Sequence, residues 1–190
     1  MPRTIPRSFY NRKTDTVARE LLGKILVRRL NGELLNGIIV ETEAYFGTDD
    51  PASRAFHGLK EYNRVMFEAP GRLFIYNVHK YWMLNIIAHH NGVGGILIRA
   101  IEPTTGLETM QRNRPVKRLR DLTSGPGKIT LALDVDKSLN GVDVTDSGSP
   151  VYVLDNEYDC KICTSYRIGV TKDLPTHYRY YVENNEYVSK

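Results

Sequence analysis

Apolar residues recur mostly at alternate positions, and residues 38–46, IIVETEAYF, show the pattern most sharply. Ile38, Val40, Thr42, Ala44 and Phe46 fall on one side of an extended strand, and Glu41, Glu43 and Tyr45 project together from the other. Neighbours on one face of a strand lie roughly 7 Å apart. Upstream, Val17, Leu21 and Leu22 keep helical spacing behind Asp15 as N-cap, with Gly23 as stop, so a helix is predicted to run into a strand from about Lys24. NGELLNG reads as the hairpin turn into the 38–46 strand. Residues 47–64 are polar and punctuated by Gly, Pro, Asp and Ser, which predicts a loop with one short helical turn, of a length that is often functional. Two aromatic-rich runs, 72–76 and 81–87, predict a hairpin around a four-residue tip, NVHK. GGILIRAIEP reads as a central strand with Arg99 inside it, and a helix is expected to open near Thr104 or Thr105. SGPGK is a glycine-rich turn opening a helix from about Lys128, and short strands alternate with turns thereafter. The pattern predicts one α+β domain over 1–190, with a curved, mainly antiparallel sheet flanked by helices and a protruding β-hairpin.

At 190 residues the chain is long enough for one sizeable core. It is 41% hydrophobic and 25% charged, and no apolar run approaches the roughly 18 residues of a membrane span. MPRTIPRSFYNRKT is basic but has no apolar stretch of the kind a secretory signal needs, so an intracellular protein is expected. A net charge of +4 favours an anionic partner. Cys160 and Cys163 form a lone C-x-x-C, half of a structural zinc site, to which His177 adds a third ligand at best. The plainer expectation is two partly buried thiols and no metal.

Two carboxylates on one strand face push their pKa values apart, which separates an acid from a base. By itself, the segment is better explained as a solvated face of an amphipathic strand. Arg99 evens the balance, because a guanidinium in an apolar strand needs a carboxylate, a phosphate or several carbonyls, and a strand glutamate is the obvious partner, although a purely structural Arg–Glu bridge explains that pairing equally well. In SGPGK, Ser124, Gly125 and Lys128 combine approachable backbone N–H groups with a cation; the spacing is not that of a nucleotide P-loop, so the segment is either a site for a polymer phosphate or an ordinary loop-to-helix turn. Five cations within 112–120 extend this basic surface. Aromatics beside a carboxylate and near basic segments suit an enzyme that acts on a flipped nucleotide.

ETEAYFGTDDPAS, NRVMFEAPGRLFIY, LIRAIEPTTGLETM, LTSGPGK and RIGVTKDLPTHYRYYVENNEYVS, in that order, resemble the 3-methyladenine DNA glycosylases of the alkyladenine type over nearly the whole chain. The resemblance implies a small monomeric repair enzyme without metal or cofactor. Its partner would be double-stranded DNA containing alkylated or deaminated purines, whose N-glycosidic bond it hydrolyses after flipping the nucleotide out. By position, Glu43 matches the carboxylate that activates water, and Arg99 the arginine that helps hold water and carboxylate near a phosphate. Tyr45 and Tyr76 match the rings that sandwich the base, and Asn85 the asparagine that screens purine substituents. No lysine lies in these pocket stretches, so hydrolysis without Schiff-base lyase chemistry is implied. Two departures stand out. Arg54 occupies the position where the family usually has a histidine, with His57 three places later. Arg54 is therefore expected to turn to a phosphate or to Asp49 or Asp50, unless a shifted loop brings His57 into the family position. The hairpin lacks the family's tip tyrosine, leaving His79 or Val78 as the wedge. A non-catalytic binder of damaged or single-stranded DNA is one rival reading, and a hydrolase of free nucleosides, which would have little use for the basic run or SGPGK, is another.

Overall fold

The computed structural model describes residues 3–189. Two short helices, α1 (Arg7–Tyr10) and α2 (Thr14–Glu20), precede strands β1 (Ile25–Leu30) and β2 (Glu33–Tyr45). A 3₁₀ segment, Glu61–Phe67, leads to β3 (Leu73–Val78), β4 (Tyr81–Ile87) and β5 (Gly95–Thr105). Helices α3 (Leu107–Asn113) and α4 (Pro126–Ala132) follow, then β6 (Val151–Leu154), β7 (Ile162–Ser165) and β8 (Arg179–Val182). The sheet runs β3-β4-β5-β2-β1-β6, with β8 against β2 and β7 against β8, and every strand pair is antiparallel. This is the α+β architecture that the alternation predicts.

Several boundaries move, for local reasons. Asn31 and Gly32 both have positive φ, 50° and 85°, so the chain reverses in two residues and β2 begins at Glu33, five residues before 38. Asp15 sits in the first turn of α2, one residue beyond its start, and its carboxylate accepts from the Thr16 N–H; Lys13 is the N-cap. β5 continues to Thr105, and Gly106, at φ 78°, turns the chain into α3 at Leu107. Pro126 rather than Lys128 opens α4, since proline lacks the N–H that the first turn leaves unbonded and its φ already suits a helix. The β3-β4 connection is the pair His79-Lys80, with Asn77 and Val78 still in the ladder opposite Trp82 and Tyr81.

β2 is the spine. β5 takes one edge, while β1 and then β8 share the other. Against β5 its register shifts between Asn36 and Gly37, between Ile39 and Glu41, and between Glu41 and Thr42. Such bulges bend a strand and re-aim side chains. Thr42 and Ala44 are buried towards α2, where the Thr42 hydroxyl donates to the Ala18 carbonyl at 2.8 Å. The main core joins Val17, Leu21, Ile39, Ile98, Ile129 and their neighbours, and a smaller cluster of Ala55, Val65, Met66, Phe74 and Ile87 seats the 47–60 loop. Full burial of each such aliphatic side chain contributes about 1.5–3 kcal/mol.

Candidate active site

The glutamates that alternation places together are not solvated: Glu41 and Glu43 are both 0% exposed. Arg99 reaches them from β5. In regular register it would lie opposite Glu41, but the ladder pairs Glu41 with Ala100 and Thr42 with Ile98, which leaves Arg99 as the extra residue of the bulge. Its Nε donates to Glu41 Oε1 at 2.9 Å, its Nη1 to Glu43 Oε2 at 3.3 Å and its Nη2 to the Ser189 hydroxyl at 3.1 Å. One arginine thus bridges both carboxylates. Burial works against its charge, but Glu43 and Glu41 outweigh that and hold the guanidinium pKa above its ordinary value.

The two carboxylates differ in what holds them. Glu41 accepts from Arg99 Nε, from Arg179 Nε at 2.6 Å, and from the Ser189 N–H and hydroxyl at 2.7 and 2.8 Å. Three of those donors converge on Oε1 and one on Oε2, which ties the carboxylate to two arginines and to the chain end at Ser189. Glu43 accepts from three: Arg99, the Tyr45 hydroxyl at 2.7 Å and the Ile168 N–H at 2.7 Å. Burial raises the Glu43 pKa above the ordinary carboxylate value, against the opposing pull of Arg99, the Ile168 N–H and the Tyr45 hydroxyl. Glu43 is therefore a tethered carboxylate with raised basicity.

All three of its donors line a cleft of about 290 Å³, whose other walls include Arg54, Tyr76, Val78 and Pro126. Deeper in, Tyr45, Arg54 and Tyr76 adjoin Phe74, Asn85 and Gly95. Asn85 spends its amide N–H groups on the Phe74 and Met83 carbonyls, at 3.1 and 3.2 Å, which fixes its orientation. Burial raises the pKa of both Tyr45 and Tyr76, so both rings stay neutral phenols. Arg54 does not turn to Asp49 or Asp50. Its guanidinium lies 4.6 Å from the Tyr76 ring centroid, and Asp50 is held by Arg167. His57 is exposed and packs edge-on against Phe56, away from the cleft-lining residues. Of the wedge candidates, Val78 is half-buried on the cleft wall, while His79 is exposed at the turn with φ 53°.

A second cleft of about 330 Å³ shares Arg99 and Pro126 with the first and is lined by Arg118, Arg120, Ser124, Gly125, Lys128 and Ser189, among others. Lys128 Nζ donates to the Ser124 hydroxyl at 3.1 Å. Gly127 serves packing: a Cβ there would lie 2.9 Å from the Tyr81 side chain, so only glycine lets α4 close on β4. Of the basic run, Arg118 pairs with Asp121 and Arg114 donates to the Asp121 carbonyl. Cys160 and Cys163 are free, partly buried thiols, and His177 packs against the Tyr166 ring, centroids 4.4 Å apart.

Arg167, Arg179 and Ser189 complete the site without having been singled out from sequence. Each lies in the final motif of the chain, but the contacts that join it to the β2 region are long-range: Arg167 to Asp50, Arg179 to Glu41 and Ser189 to Glu41 span 117, 138 and 148 residues.

Comparison with known proteins matches residues 8–186 to the family described as methylpurine-DNA glycosylase (MPG). A protein of Aeropyrum pernix is 40% identical over 100% of this chain and 95% of its own length. One from Mesorhizobium japonicum is 42% identical over 97% of this chain and 89% of its own, and one from Clostridium perfringens strain SM101 is 42% identical over 97% and 98%. All three carry the name "Putative 3-methyladenine DNA glycosylase".

Proposed function

We propose, from the premise that the chain belongs to the methylpurine-DNA glycosylase family, that it is a DNA repair glycosylase in which Glu43 activates the water that releases an alkylated purine. The observation that carries the role of Glu43 is that all three of its donors line the cleft, whereas Glu41 is tied between two arginines and Ser189. In this reading the target nucleotide is flipped into the cleft, its base between Tyr45 and Tyr76 with Asn85 at the deep end. Glu43 takes a proton from water as the water oxygen bonds to C1′. The N-glycosidic bond breaks and its electron pair leaves with the purine, neutralising the positive charge that alkylation at N3 or N7 placed there. Arg99 favours the ionised form of Glu43 against the effect of its burial. No lysine lines the cleft, which supports hydrolysis without a Schiff base. Release of free base from methylated duplex, absent with an unmethylated control, tests the reading; lesion binding with no release would favour the non-catalytic binder.

Lys128 and the basic cleft are assigned to the DNA backbone. Lys128→Ala is expected to weaken binding to damaged and undamaged duplex about equally and to flatten the plot of log K against log salt by about 0.9, one phosphate contact's worth. An unchanged slope would place Lys128 away from DNA.

Arg54 puts a permanent cation on the wall where the base would stack. It should disfavour cationic N3- and N7-alkylated purines relative to neutral hypoxanthine or etheno lesions, and only severalfold, because the group is solvent-exposed and screened. Arg54→His is expected to raise release of cationic bases, whereas His57→Ala leaves every lesion unchanged. A panel of single-lesion oligonucleotides decides this, and unaltered preferences in Arg54→His would remove Arg54 from base reading.

A further inference from the structure

Behind the cleft lies an ionic knot that the proposed chemistry does not use. Arg167 has a fully buried side chain, and all five of its N–H groups are spoken for. Nη1 donates to the Ala44 carbonyl at 3.0 Å and to Asp50 Oδ2 at 2.6 Å; Nη2 donates to Asp50 Oδ1 at 2.8 Å and to Asp173 Oδ1 at 2.6 Å; Nε donates to Asp173 Oδ1 at 2.8 Å. Asp50 in turn accepts from the Phe46 and Ala52 N–H groups, and Asp173 accepts from the Arg167 and Leu174 N–H groups. One guanidinium therefore ties together the end of β2, the loop that carries Arg54, and segment 166–174. Its central carbon sits 4.6 Å from the Tyr45 ring centroid and 5.9 Å from that of Tyr178.

The next residue matters most. Ile168 donates its backbone N–H to Glu43 Oε1 at 2.7 Å and lines the cleft together with Gly169 and Val170. An interior ion pair of this kind is a costly way to gain stability alone, since an apolar replacement of similar volume is often as stable. What it supplies is placement, because a rigid fork with five donors defines the position of three chain segments at once. We propose that Arg167 is a positioning residue for base release, holding the Ile168 N–H on Glu43 and backing the Tyr45 ring against which the base stacks. This rests on Glu43 being the base.

The groups facing Glu43 are Glu41 and Tyr45 on its own strand, Arg99 from β5, Tyr76 from β3, and the Ile168 N–H; Arg179 from β8 is engaged with Glu41. Of these only the Ile168 N–H and the Tyr45 ring are held by Arg167. Loosening the knot should weaken one charge-assisted hydrogen bond to the carboxylate, leave burial less opposed, and let Glu43 hold its proton to higher pH. In Arg167→Lys, single-turnover base release is expected to fall at least tenfold near neutrality, with its acid limb moved about one pH unit higher, the scale of one such bond. Asp173→Asn, which keeps Asp50 on Arg167, should move the limb the same way by less. A folded Arg167→Lys protein with wild-type rates, or with lower rates and an unmoved limb, overturns the proposal, because a merely structural role lowers activity without shifting that limb. If Arg167→Lys does not fold, an unmoved limb in Asp173→Asn overturns it equally. Wild-type release that Glu43→Gln leaves intact would instead strike the assignment of the base, so the two failures are distinguishable.

Discussion

Glu43→Gln is expected to abolish release of methylated purines while leaving lesion binding largely intact. The loss should be at or above the roughly 10²- to 10⁴-fold of a typical general base, because the amide cannot take the proton from water. Gln keeps the volume and can still accept from Arg99 and Tyr45, but its NH₂ then faces the Ile168 N–H, a local cost of about 1–3 kcal/mol. The pH dependence has a definite sign. The folded-state pKa of Glu43 is raised above the unfolded one, so its contribution to stability is fully present below the unfolded pKa and is lost as pH rises through the folded pKa. The non-titrating Gln variant should therefore gain stability relative to wild type on going from acid to neutral pH. Melting curves across that range, beside single-turnover base release, check both statements. Near-wild-type turnover in Glu43→Gln would sink the assignment and transfer the role to Glu41, despite its four donors.

Arg99→Met should be the most destabilising single change at the site. It leaves Glu43 buried with no cation, while Glu41 retains Arg179. Removing one partner of a buried ion pair typically costs about 3–5 kcal/mol, a large share of a domain's stability. The same substitution removes the strongest influence opposing burial at Glu43, so the protein that does fold should release base only at higher pH than wild type. Arg99→Lys is the milder test, because a lysine ammonium is a point charge that cannot bridge two carboxylates in the fork geometry of arginine. Urea titration measures the first effect and the acid limb of base release the second. An unmoved limb in folded Arg99→Lys would mean that Arg99 serves the fold alone.

The site was legible where local rules suffice. Period-2 alternation alone puts Glu41, Glu43 and Tyr45 on one face, and the structure keeps them there. An arginine inside an apolar strand implied a carboxylate partner, and Arg99 has two. Alternation does not distinguish a solvated face from a buried one, however. It was the arrival of β5 and β8 beside β2, and of Ser189 over Glu41, that closed the face. Arg54 shows the opposite limit. Sequence offered it Asp49 or Asp50 as a near neighbour, but Asp50 is claimed by Arg167, 117 residues away in the chain, and no spacing rule reaches that far.

What the sequence by itself determined is the fold class, most of the strands, the hairpin that leads into β2, the face on which the carboxylates stand, and, through its ordered motifs, the family. Those follow from steric and periodic preferences that act over a few residues. Only the tertiary structure decided which glutamate has its donors on the cleft wall, that Val78 rather than His79 lines the cleft, and that Arg54 rather than His57 does. The bulge at Arg99 and the burial of Arg167 were decided there too. Each of these depends on how distant segments compete for the same few donors and acceptors in a space without water, where an unmet polar group is costly enough to select one arrangement.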